Sequence, residues 1–135
     1  FSWAIVRLPM VFGANAPRIT ELKKIIKEKK PYEIFPNTII NITTDYFFTQ
    51  QIHYIINRNL WGIFHLGSSD LIHHDEFIFR LVDCLCLKTK PIFKHVYTCN
   101  HDRFLVALPK DNSLPDHLRF CIDDVLQNTL QRPIK

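Results

Sequence analysis

The chain has 135 residues, 47% of them hydrophobic, with a mean hydropathy of -0.04 and a formal net charge of +4. That is enough for one domain or a large part of one. No apolar run approaches the ~20 residues needed to span a bilayer, and no basic-then-apolar leader opens the sequence, so neither a membrane span nor a secretory signal is expected.

The elements follow in chain order. Residues 3–8 are a short apolar run bounded by Pro9 and read as a buried strand. Met10 to Gly13 are expected to leave that strand. Ile19, Leu22, Ile25 and Ile26 recur at helical spacing, which predicts a helix from Pro17 to Lys30, stopped by Pro31. Lys23, Lys24, Lys27, Lys29 and Lys30 then form a solvated face whose cations complement the helix dipole. No interleaved aromatics suggest a nucleic-acid surface, so no nucleic-acid partner is expected.

Tyr32 to Phe35 and Ile39 to Ile42 suit short strands around the turn at Pro36-Asn37. Thr44 is placed to cap a helix with Asp45 in its first turn and Phe48, Ile52, Ile55 and Ile56 inward. Trp61 to Leu66 reads as a second buried strand, and Gly67-Ser68-Ser69-Asp70 as a turn. A helix is expected over His74 to Leu87, with Phe77, Ile78, Leu81, Val82 and Leu85 inward, then a strand over Pro91 to Tyr97. Ser113 and Asp116 have the spacing of a capping box, and one or two short helices are expected over 115–131. Strands alternating with helices imply an α/β fold with parallel strands. Two convincing strands are too few for a sheet of their own, and the chain opens at Phe1 inside an apolar run, so a piece of a larger fold is expected.

Several chemistries lack their residues. No glycine-rich phosphate loop is present, and Ser68-Ser69 lacks the flanking glycines of a nucleophile elbow. His73, His74, Asp75 and Glu76 are consecutive, so on a helix they point in different directions and cannot converge on one ion. They read as helix-start and surface residues, with no metal site expected. Four cysteines, Cys84, Cys86, Cys99 and Cys121, are too sparse for a disulfide scaffold and are expected to be reduced, mostly buried thiols of a cytoplasmic protein. Arg7, on a strand expected to be buried, should pair with a carboxylate.

Three segments carry a family resemblance. Trp3-Ala4-Ile5-Val6-Arg7-Leu8-Pro9-Met10-Val11-Phe12-Gly13 resembles the strand and loop of extended short-chain dehydrogenases, where an Arg precedes a variable stretch, an aromatic and Gly. Ile42-Thr43-Thr44-Asp45-Tyr46-Phe47-Phe48 is similar to the family's segment entering the next helix. Gly62-Ile63-Phe64-His65-Leu66-Gly67-Ser68 resembles its late strand. The order and spacing are similar to dTDP-4-dehydrorhamnose reductase-like proteins over nearly the whole chain.

The resemblance implies a partial Rossmann-like fold: the last parallel strands plus the C-terminal substrate-binding helical part, over residues 1–135, without the N-terminal cofactor-binding part. It implies a parent enzyme that reduces a 4-keto-6-deoxy sugar nucleotide with NAD(P)H. The family's catalytic YxxxK pair is absent, because no Tyr here has Lys four residues on, so the chain alone is expected to be inactive and to bind NAD(P) weakly. Leu8, Pro9 and Met10 match the loop beside the nicotinamide; read from the residues alone, Pro9 ends a strand. Arg103 falls near the family's substrate-side Arg-Pro segment, although Phe104 replaces the proline. It is either a diphosphate contact, to which a planar guanidinium is suited, or a surface arginine. The expected partners are a nucleotide-sugar substrate and, through the open sheet edge, a second copy. A nucleotide-sugar epimerase or dehydratase, a non-catalytic regulatory homologue and a free-standing binding domain are the alternatives.

Overall fold

The computed structural model describes residues 3–108 and 114–131. Their order is β1 (Ala4–Arg7), β2 (Met10–Phe12), α1 (Pro17–Lys27), β3 (Pro31–Ile34), β4 (Thr38–Ile40), β5 (Ile42–Thr44), α2 (Asp45–Asn57), β6 (Gly62–His65), β7 (Ile72–His73), α3 (His74–Leu85), β8 (Ile92–His95) and β9 (Arg103–Leu105). A single 3-10 turn (Asp116–Leu118) and α4 (Ile122–Gln131) close the described chain. Ser113, half of the expected capping box, lies outside the described residues.

The α/β class with parallel strands is present. β1 pairs with β6, β2 with β5, β3 with β8 and β4 with β9, all parallel; among the described residues only β7 runs antiparallel, against β4. Met10 to Phe12 leave β1 as expected, and form a strand of their own in a separate ladder. Pro9 has no N–H to give a ladder, so β1 ends beside it. The chain then forms β2 on a new partner, with Met10 opposite Ile42 and Phe12 opposite Thr44.

Two helices stop earlier than their periodicity suggests, because a residue takes the left-handed conformation. Lys29 has φ 55°, and the N–H groups of Lys29 and Lys30 donate back to the carbonyls of Ile26 (3.0 Å) and Ile25 (3.1 Å). Cys86, with φ 47°, ends α3 in the same way. Thr44 caps α2 as expected: its hydroxyl accepts the Phe47 N–H at 3.2 Å.

The larger core gathers Phe12, Ile19, Leu22, Ile26, Ile34, Ile40, Ile42, Phe77, Ile78, Leu81, Ile122 and Val125. Each such side chain is worth about 1.5–3 kcal/mol of burial. A smaller core under α2 holds Ile55, Phe64, Leu66, Leu114 and Leu118. Phe47 of the first cluster stacks on Phe120 at 3.7 Å, and Phe120 touches both.

Three expectations of burial are corrected. Ile56 points to solvent, because α2 packs through Phe47, Gln51 and Ile55 and the next residue lies ~100° further round. β1 and β6 each keep one open face, so Arg7 is exposed and, among the described residues, has no carboxylate partner. Water solvates its charge. The cysteines are free, but Cys84, Cys86 and Cys99 are exposed and Cys121 is half-buried, because they fall on loops, termini and outward helix positions.

His74, at the start of α3, is buried; its Nδ1 accepts the Phe35 N–H at 3.2 Å, and its ring packs edge-on to Phe35. Burial lowers its pKa from 6.5 to about 4. An unfolded histidine takes its proton at the higher value, so between the two values the unfolded state binds more proton. The stability given by the neutral ring is complete above pH 6.5 and is lost as pH falls to about 4, by roughly 3 kcal/mol. Urea denaturation across this range should show that slope, and His74→Gln, which keeps an acceptor but does not titrate, should flatten it.

Candidate functional site

The extended run from Thr38 to Thr44 is the axis of the site. Its first half, β4, lies between β7 and β9; its second half, β5, carries β2. Asn41 stands between the two ladders, completely buried. Its Oδ1 accepts the Ala107 N–H at 2.9 Å, and its Nδ2 donates to the carbonyls of Ala107 (3.0 Å) and Ser68 (3.2 Å). A carboxamide offers the donor and acceptor of a peptide group. Asn41 therefore carries the pairing two residues beyond Leu105 and ties it to the turn after β6.

Ser68 closes the same junction. Its N–H donates to the Ile42 carbonyl at 2.8 Å, while its hydroxyl accepts the Ile42 N–H and donates to the Asp70 carbonyl, both at 3.1 Å. The hydroxyl is thus a structural pin. Gly67 must lack a side chain, because a Cβ there would strike the Asn41 amide and the Ala107 carbonyl. Gly13 meets a similar demand at the end of β2. Its φ is 147°, and a Cβ would lie 2.7 Å from Asp45 Oδ1. That carboxylate also accepts the Tyr46 N–H at 2.9 Å, beside the positive end of α2.

These contacts bring together the three segments that carried the resemblance. Arg7 lies opposite His65, Met10 opposite Ile42, Gly13 against Asp45, and Ser68 on Ile42. Leu8 and Pro9 cross from β1 to β2 at the C-terminal ends of parallel strands, the end where open α/β sheets bind ligands. Leu8 is exposed and Pro9 half-buried, whereas Met10 packs against the larger core. Leu8 is therefore the one of the three with a side chain turned to solvent.

Arg103 begins β9 opposite Thr38, with an exposed side chain and its N–H donating to the Asn37 carbonyl at 2.8 Å. Asn37 also shapes the preceding loop, donating to the Cys99 carbonyl (2.6 Å) and accepting the Thr98 N–H (3.2 Å). Thr38 and Ile42 are four residues apart on an extended run, at most about 13 Å. The structure thus sets Arg103 along the axis from Leu8 to Met10 and not beside them. Sequence reading passed over Asn41, whose signal was a lone carboxamide within an isoleucine-rich run. Cavities of about 410 and 480 Å³ at the C-terminal end of α3 share Val82, Asp83, Lys90 and Pro91, and no residue of the junction lines them.

No family model matches the sequence, and no curated protein matches it. Solved structures do match the fold. The dTDP-4-dehydrorhamnose reductase of Bacillus anthracis, in complex with NADP, superposes with a TM-score of 0.76 at 15% identity, over 93% of this chain and 47% of that one. The UDP-N-acetylglucosamine 4-epimerase of Methanobrevibacter ruminantium, in complex with UDP-N-acetylmuramic acid, gives 0.66 at 13%, over 97% and 46%. The Bacillus anthracis dTDP-glucose 4,6-dehydratase, in complex with NAD, gives 0.64 at 15%, over 95% and 43%. The Rossmann-like α/β fold implied by the sequence is therefore present, and the chain spans under half the length of these structures. Among the described residues, no helix is long and apolar enough to cross a membrane.

Asn41→Leu keeps the volume but strands the Ala107 N–H and two carbonyls. Its expected cost is about 3 kcal/mol, at the upper end of the penalty for a buried unsatisfied polar group. The urea midpoint should fall accordingly; an unchanged midpoint would show the amide to be dispensable.

Proposed function

We propose that this chain is the substrate-side part of an NAD(P)-dependent nucleotide-sugar oxidoreductase, one that reduces a 4-keto-6-deoxy sugar nucleotide of the dTDP-4-dehydrorhamnose kind. The observation that carries this reading is the convergence of residues 3–13, 42–48 and 62–68 around Asn41 and Ser68, in a fold shared with structures of that enzyme. A chance likeness of three short motifs would not bring them into one junction at the ligand-binding end of parallel strands.

The residues present suit one edge of a nicotinamide dinucleotide and not its phosphates. Gly13 is filled by Asp45, Gly67 by Asn41 and Ala107, and Gly62 is held in the β1–β6 ladder, so no glycine is left to cradle a pyrophosphate. When bound, the cofactor supplies a hydride. Leu8 and Pro9 would flank its nicotinamide and keep water from it, while Arg103 would meet the substrate diphosphate further along β4. The proton donor and its activating lysine are expected outside residues 1–135, because no YxxxK occurs within them. In this reading the chain alone binds NAD(P) weakly and turns over nothing.

The test is NADPH consumption with a dTDP-4-keto-6-deoxy sugar, measured for the polypeptide of the complete reading frame beside the 135-residue chain. Turnover by the complete polypeptide alone is expected, with Arg103→Ala raising KM several-fold more than it lowers kcat. Turnover by the 135-residue chain overturns the division of labour. An inactive complete polypeptide that epimerises or dehydrates a nucleotide sugar moves the function to those relatives.

A further inference from the structure

The parallel pairing of β3 with β8 sets Pro31 opposite Ile92. Each strand is entered from the C-terminal end of a helix, β3 from α1 and β8 from α3. The two entering segments therefore meet at one end of the pair, on strands about 4.8 Å apart. One segment carries Lys27, Lys29 and Lys30, the other Lys88 and Lys90, and all five are exposed. Two carboxylates lie on the same segments: Glu28, which pairs with Lys30 at 2.7 Å, and Asp83. Among the described residues the other four lysines form no ion pair. The C-terminal ends of the two helices offset roughly one charge more, which leaves a surplus of about two positive charges. The lysines thus exceed what the helix ends require.

A cleft opens beside them. A cavity of about 480 Å³ lies between α3 and the start of β8, walled by Phe79, Val82, Pro91 and Phe93. The two phenylalanine rings meet edge-on, with centroids 5.0 Å apart. It adjoins a cavity of about 410 Å³ lined by Cys86, Leu87, Lys88 and Thr89. Asp83 and Lys90 line both. The cleft therefore has an apolar chamber and a cationic one. The carboxylate common to both is an acceptor suited to a peptide N–H.

We propose that this cleft binds an extended acidic segment of a partner protein. One aromatic or aliphatic side chain of that segment fills the apolar chamber, and its carboxylates meet Lys88 and Lys90, then Lys29 and Lys30 beyond them. A single small anion would use one lysine pair and leave the apolar chamber empty. A membrane surface calls for apolar side chains that protrude, whereas Val82 is buried and Pro91 and Phe93 are half-buried. Single-stranded nucleic acid stacks on open aromatic faces, and here the two rings close on each other.

The test is fluorescence anisotropy of a labelled pentapeptide, four glutamates around one phenylalanine, titrated with the polypeptide of the complete reading frame. Saturable binding that weakens with added salt is expected. A peptide with alanine in place of the phenylalanine should bind about tenfold more weakly, because it leaves the apolar chamber unfilled. Lys88→Glu with Lys90→Glu should weaken binding of the phenylalanine peptide by about tenfold or more, and Lys29→Glu with Lys30→Glu several-fold. All four positions are exposed, so the melting midpoints of both variants should match that of the parent. No binding, or an affinity that both lysine variants leave unchanged, overturns the proposal. Equal binding of the alanine peptide overturns the role of the apolar chamber. Lysine-dependent binding that is tighter to phosphatidylserine vesicles, or to a single-stranded oligonucleotide, overturns it too and gives the surface to a membrane or to nucleic acid.

Discussion

A single buried carboxamide ties the β4–β5 run to the segment after β9 and to the turn after β6. The strands are two to four residues long, too short to be stable alone, and they fall into separate ladders. Asn41 sits where those ladders would otherwise part. By standing in for a peptide group it joins the segment after β9, the turn after β6 and the β4–β5 run through three hydrogen bonds. Its burial demands those partners, since an unpaired amide in the interior costs more than the bonds return. Gly67 is bound by the same requirement, because the amide occupies the space a side chain would need.

The geometry at the C-terminal ends of β1 and β6 follows from that junction. With β4 and β5 fixed as one axis, β2 must leave β1 to reach β5, and Pro9 marks the place where it does so. Leu8 is then left at the rim. Gly13 brings the end of β2 close enough for Asp45 to sit against it, at the positive end of a helix that Thr44 caps. Packing, capping and backbone conformation thus act on one small region.

Much of this was legible in the residues. Hydrophobic periodicity placed α1, α2 and α3, and Thr44 announced its cap. The Trp61–Leu66 run announced β6, and the three family-like segments pointed to the right fold. What was not legible was partnership. Pro9 read as an ending because its lack of an N–H is a local property, whereas the new partner of Met10 is a distant one, Ile42. The cysteines and Ile56 read as buried because composition and spacing describe a face and not what lies opposite it. Arg103 read as a diphosphate contact or a surface arginine on motif order alone, and only strand register places it opposite Thr38, four residues along the axis from the partner of Met10.

The sequence by itself determined the local elements, their α/β alternation and the absence of a phosphate loop, a disulfide framework and a YxxxK pair. Each of these depends only on which residues are near one another along the chain. Tertiary structure decided which strand met which, that Asn41 and Ser68 would pin the junction, and that Lys29, Lys30, Lys88 and Lys90 would gather at one end of the β3–β8 pair. These bring together residues far apart along the chain, and they are chosen by which arrangement buries the apolar side chains while pairing the backbone groups buried with them.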